Sequence, residues 1–124
     1  MSEAARVDLL AVARENEDFR REVTTGEHSQ LVVMTIPVGG EIGEEVHEQV
    51  DQILLFVEGQ AEAVLDGRVS PVASGDLVFV KAGTRHNFVT TGDRPLRLVT
   101  IYAPPEHPPG TVHATREEAD AAEH

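Results

Sequence analysis

Glycine-bearing turns cut most of this chain into short β-prone runs about ten residues apart, a rhythm that points to an all-β sandwich or barrel. The runs cover residues 30–36, 51–57, 60–65, 68–72, 77–80, 85–90 and 96–102. Asp66-Gly67, between two of them, is the strongest hairpin signal, because a two-residue turn matched to strand twist needs positive φ at both central positions. Pro71 cannot donate to a ladder, so its run is expected at an edge or a strand end.

The flanks read differently. Residues 1–22 are expected to form a helical segment, with Asp8 as N-cap, a partial stripe of Leu9, Leu10, Val12 and Ala13, and Phe19 as an anchor in a charged stretch. Residues 24–27 read as a turn, and the barrel is expected to span residues 23–102. Residues 103–124 form a C-terminal extension in which Pro104, Pro105, Pro108, Pro109 and Gly110 oppose regular structure. It either packs on the barrel or is partly disordered, and residues 117–124 are helical or frayed.

At 124 residues the chain is one domain, large enough to bury roughly two-thirds of its unfolded surface. Five aromatics and 40% hydrophobic content point to a core of Val, Leu and Ile, with Leu54, Phe56, Phe79 and Phe88 facing the interior. The absence of cysteine excludes disulfides, thiolate catalysis and cysteine zinc sites. A net charge of -12 argues against nucleic acid and anionic membranes as partners. The apolar runs are too short for a membrane span, so a cytoplasmic location is the expectation.

The chemistry concentrates after Gly39-Gly40, where Glu45, His47, Asp51 and Gln52 precede an apolar run ending at Gly59. Side chains two apart share one face of an extended chain, so Glu45 and His47 can serve one ion. Asp51, next to Gln52, belongs to the opposite face and reads as a turn or surface residue.

These residues fall into register with two motifs of the cupin superfamily, G-x5-H-x-H-x3-4-E-x6-G and G-x5-P-x-G-x2-H-x3-N. Gly39, Glu45, His47, Gln52 and Gly59 match the spacing of the first, and Gly75, Lys81, Gly83, His86 and Thr90 that of the second. Fifteen residues separate Gly59 from Gly75. Over residues 30–102 the chain therefore resembles small single-domain cupins. It is also similar to a subgroup with a Glu-x-His…Asp-Gln pattern and a Pro-Pro-x-His-Pro…Thr-Val-His tail, often labelled mannose-6-phosphate isomerase-like. The resemblance implies a double-stranded β-helix (jelly-roll) barrel whose four ligand positions converge inside.

Carried across position by position, the ligands are Glu45, His47, Gln52 and His86. Glu45 stands where the family has its first histidine, and Gln52 where it has glutamate. A carboxylate has thus changed places, and a divalent ion with Glu45 still leaves a centre of charge +1. Glu45, His47 and His86 form a two-histidine, one-carboxylate set, which suits non-haem iron and also accepts Mn, Ni, Co or Zn. The rival is a barrel without its metal, in which Gln52 is a core residue. A buried glutamate then needs another cation, an arginine or water to offset its desolvation.

His107 and His113, in the extension, are weaker candidates for a general base should it fold over the barrel mouth. His28 reads as a surface turn residue, Arg85 as a partner of surface acids, and Lys81 has no catalytic claim. The functions implied are a small-molecule metalloenzyme of dioxygenase, isomerase or lyase type, or a non-catalytic metabolite- or metal-binding module. Open sheet edges point to a homodimer.

Overall fold

The computed structural model describes residues 4–122. Helix α1 (Leu9–Glu15) precedes strands β1 (Arg20–Thr25), β2 (Gln30–Ile36), β3 (Asp51–Glu58), β4 (Gln60–Leu65), β5 (Arg68–Ala73), β6 (Leu77–Val80), β7 (His86–Thr91), β8 (Leu96–Ala103) and β9 (Val112–His113), and helix α2 (Arg116–Ala122) follows. The strands form two facing sheets, in the orders β6-β3-β8-β2-β1-β9 and β5-β4-β7. The expected jelly-roll barrel is present.

Alternation along the strands fills the space between the sheets. Leu54 and Phe56 from β3, Phe88 from β7, Leu96 and Leu98 from β8, and Met34 and Ile36 from β2 make one buried cluster. At one end the inward positions turn polar: Gln52 on β3, His86 on β7, and Thr100 and Tyr102 on β8, all buried. That switch on three strands creates the setting for a site. On the outer face of the larger sheet, α1 lays Ala13 against Val33, Val57 and Val99. Both central strands, β2 and β8, are therefore covered on two sides. Asp8 caps α1, its carboxylate accepting from Ala11 N.

The turn chemistry follows the sequence. Asp66 (φ 49°) and Gly67 (φ 81°) close the β4–β5 hairpin, and Pro71 sits on β5, the edge of the smaller sheet. Gly59 has φ +90°, and a Cβ there would stand 2.5 Å from the Pro95 carbonyl oxygen, so this motif position excludes any side chain.

Two expectations need correction, and for the extension the packed alternative is the one seen. The first strand begins at Arg20, within the segment read as helical, and runs through Thr25 into the expected turn. Its charged residues hid a strand that pairs with both β2 and β9. Phe79 does not face the interior: it lies on edge strand β6 and is 51% exposed. The extension is ordered through residue 122. Its residues 112–113 pair with β1, and Ala119 of α2 is buried in the barrel's core cluster. Residues 123–124, included in the expected helical or frayed end, lie outside the described residues.

Candidate metal centre

The loop carrying Glu45 and His47 is fixed by backbone bonds. Glu45 and His86 exchange both of theirs, at 2.9 Å each, and Gly83 N donates to His47 O at 2.8 Å. This tie draws residues about forty positions apart into one site. Glu45, His47 and His86 each present a ligand atom, all within 4.8 Å of one another. His47 Nε2 lies 3.8 Å from Glu45 Oε2, and the two imidazole centroids are 5.4 Å apart.

His86 Nδ1 stands 2.8 Å from the Thr84 carbonyl oxygen, which can only accept, so Nδ1 carries the proton and Nε2 keeps its lone pair. The Nε2 atoms of both His47 and His86 are buried without a hydrogen-bond partner in the protein. Burial is the main cause that lowers the His86 pKa below its ordinary value; the nearby His47 adds to it, and the Thr84 bond opposes it. Two imidazoles and a carboxylate with ligand atoms within 4.8 Å of one another fit a divalent cation, since unsatisfied buried nitrogens cost stability unless something binds them.

Gln52 is buried, and its Nε2 donates to Thr100 Oγ1 at 3.0 Å. Its Oε1, the atom that would ligate, is buried without a partner. Asp51 turns away as expected, accepting from Ala82 N at an exposed position. Arg85 pairs with Glu44 at 2.6 Å on the surface, and the His28 side chain is 88% exposed.

The extension covers one side of the site. A cavity of about 600 Å³ is bounded by Glu45 and His47 from the barrel and by Glu106, His107 and His113 from the extension. Gln30, buried on β2, holds this segment in place. Its Oε1 accepts from Glu106 N (3.2 Å) and His107 N (3.0 Å), and its Nε2 donates to His107 O (2.6 Å). His107 packs edge-on against Tyr102, and its pKa falls to about 3, first through burial and then through the charges of Arg20, His113 and His47. Burial pushes the Tyr102 phenol far above its usual value, opposed by Arg20, which hydrogen-bonds to it.

Arg20, Tyr102, Gln30 and Glu106 were not singled out in the sequence. Arg20 and Glu106 lie among other charged or proline-flanked residues with no motif spacing. Gln30 reaches its partners across 77 positions, a separation no local pattern reveals.

A family model for the cupin domain matches residues 32–102. The uncharacterised protein YrkC of Bacillus subtilis is 40% identical in an alignment 124 positions long that covers 94% of this chain and 66% of YrkC, so the chain spans just under two-thirds of that relative. The uncharacterised protein L612 of Acanthamoeba polyphaga mimivirus is 30% identical over 89% of this chain and 71% of its own length. The crystal structure of BH2720 from Bacillus halodurans superposes with a TM-score of 0.93 at 39% identity, over 96% of this chain and 95% of that one. KdgF from Halomonas sp. shares the fold, with a TM-score of 0.67 at 23% identity over 70% of this chain and 78% of its own. With both motifs in register, the barrel built and the family model spanning more than half its length, the chain belongs to the cupin family.

Proposed function

We propose that this cupin is a small-molecule metalloenzyme using one divalent transition metal (Fe, Mn, Ni, Co or Zn) held by Glu45, His47 and His86, with Gln52 as a fourth, neutral oxygen donor. The observation that carries this reading is the pair of buried, partnerless Nε2 atoms within 4.8 Å of a carboxylate. The partnerless Oε1 of Gln52 supports the fourth position. When bound, the ion supplies Lewis-acid or redox activation of an oxygen-bearing ligand. The protein's own groups do the rest. Thr84 fixes the His86 tautomer, the apolar barrel floor of Leu54, Phe56 and Phe88 excludes water, and the cavity under the extension admits a small substrate.

His107 suits the wall of that cavity better than a general base, because a pKa near 3 makes it a weak proton acceptor at neutral pH. His113, which lines the same cavity with a buried partnerless Nδ1, keeps the stronger claim to proton transfer. Dioxygenase, isomerase and lyase chemistry share this fold, so the reaction type rests on assay. The likeness to the mannose-6-phosphate isomerase-like subgroup assigns no substrate. A second reading, a non-catalytic metabolite-binding module, draws on the same cavity of about 600 Å³, which holds a small molecule whether or not turnover follows.

Elemental analysis followed by a turnover screen with the metal found separates the two readings. Bound metal with turnover of a small oxygenated substrate supports the enzyme, and ligand binding without turnover supports the module. The exposed Leu77 and Phe79 on edge strand β6 support the homodimer expectation, which light scattering on the eluting protein tests. The -12 charge supports the expectation of no nucleic-acid partner, and among the described residues no helix is long and apolar enough to cross a membrane.

A further inference from the structure

We infer that Glu106 is a positioning residue for His47 and that Gln30 is the latch that puts it there, so the C-terminal extension is a working part of the metal centre. This rests on the metal reading above. His47 has two ring nitrogens with separate surroundings. Nε2 faces Glu45 and His86, whereas Nδ1 lies 3.4 Å from Glu106 Oε1. A carboxylate can only accept, so this contact favours the proton on Nδ1 and leaves the Nε2 lone pair for the ion. The Thr84 carbonyl does the same for His86. The two histidines therefore each have an acceptor beside Nδ1, one from the barrel's own loop and one from outside the barrel motifs. At 3.4 Å the glutamate contact is an ion-pair distance and not a formed hydrogen bond, so it is a weaker support than the 2.8 Å contact of His86 Nδ1 with Thr84.

The placement of Glu106 is built in. Proline residues 104, 105, 108 and 109 flank it and limit the backbone's freedom. Gln30, 2% exposed, spends both ends of its amide on the 106–107 backbone. Farther along, β9 pairs with β1, and Gly110 N donates to Glu22. A tail attached only for stability would not need a buried glutamine aimed at the two residues that meet His47 and the cavity.

The test uses the full chain, with Zn(II) as probe in competition with a chromogenic chelator. Glu106→Ala is expected to weaken Zn(II) binding 10- to 100-fold. Glu106→Gln, whose amide oxygen still accepts from Nδ1–H, is expected to recover most of that, and Gln30→Ala to lose it again. An independent readout is the ¹⁵N spectrum of the His47 ring in metal-free protein at pH 8. Wild type and Glu106→Gln should favour the Nδ1–H tautomer, and Glu106→Ala should shift toward Nε2–H. Because the Glu106 side chain is partly exposed, its two variants should melt close to wild type without metal, whereas Gln30→Ala, which removes a buried and hydrogen-bonded amide, should melt lower and is compared at a temperature where circular dichroism shows it folded. Unchanged Zn(II) affinity and an unchanged tautomer in Glu106→Ala overturn the proposal while leaving the metal reading intact. If wild type binds neither Zn(II) nor Fe, Mn, Co or Ni offered in turn, the metal reading fails, and the tautomer alone decides whether Glu106 orients His47.

Discussion

Replacing Gln52 by glutamate restores the family's usual residue and should affect the metal-free and metal-loaded protein in opposite directions. Gln52 is 2% exposed, with one hydrogen bond from its amide and a partnerless Oε1. A carboxylate there must either stay charged in a desolvated site or take up a proton. Protonation caps the penalty: at about 1.36 kcal/mol per pH unit between a reference pKa near 4.3 and pH 7, it is roughly 3.7 kcal/mol. Arg20, bonded to the Tyr102 that pairs with Gln52 in the ladder, offsets part of this, leaving a cost on the order of 2–3 kcal/mol. For a 124-residue chain an unfolding entropy near 2.1 cal/mol/K per residue turns that into a melting point lower by roughly 8–12 °C.

With metal the sign reverses, because an anionic ligand replaces a neutral one. Affinity should rise by about tenfold or more, and excess metal should recover the lost melting temperature through binding to the folded state alone. Differential scanning fluorimetry with and without metal, paired with chelator competition, reads both effects. If Gln52→Glu leaves melting and affinity unchanged, Gln52 does not face the ion. A drop in melting temperature that metal fails to reverse would mean it is buried but is not a ligand.

Other expectations follow from the same geometry. His47→Ala and His86→Ala should each abolish stoichiometric metal, as measured by elemental analysis, while circular dichroism stays that of the folded barrel. Gly59→Ala should destabilise by more than about 2 kcal/mol in urea melts, since its Cβ meets the Pro95 carbonyl oxygen at 2.5 Å; Gly75→Ala, with φ +94° but nothing within 4 Å, should lose only about 1 kcal/mol from backbone strain. Leu54→Ala, removing a fully buried side chain, should cost about 2–5 kcal/mol in the same melts. For His107, burial lowers the folded pKa to about 3, so the unfolded chain binds the extra proton first. Stability of the metal-free protein is then full above about pH 6.5 and declines as pH falls toward 3, and His107→Phe should flatten that decline in melts taken across the range.

Much of the barrel was legible because its instructions are local. Asp66-Gly67 dictates a hairpin from its own φ preferences, and seven of the nine strands fell where β-prone runs met glycine turns. The clustering of Glu45, His47 and His86 was legible for a related reason: motif spacing places Glu45 and His47 on one loop and His86 on one strand end, and two backbone bonds join Glu45 to His86. What escaped was long-range. Strand β1 is written in Arg20, Arg21 and Glu22, whose charges resemble a solvated helix face until β2 and β9 flank them. Phe79 reads as core by its chemistry, yet the alternation on β6 sends Val80 inward and leaves Phe79 outward. Glu106 meets His47 only because Gln30 holds the backbone beside it, a contact set by tertiary structure alone.

The central claim is that Glu45, His47 and His86 hold a metal ion. Its most direct test is elemental analysis of protein purified without chelators or added metal, run beside His86→Ala. About one divalent transition metal per wild-type chain and almost none in the variant is the expected result. Wild-type protein that carries no metal, and takes up none when offered Fe, Mn, Co, Ni or Zn in turn at pH 8, would contradict it.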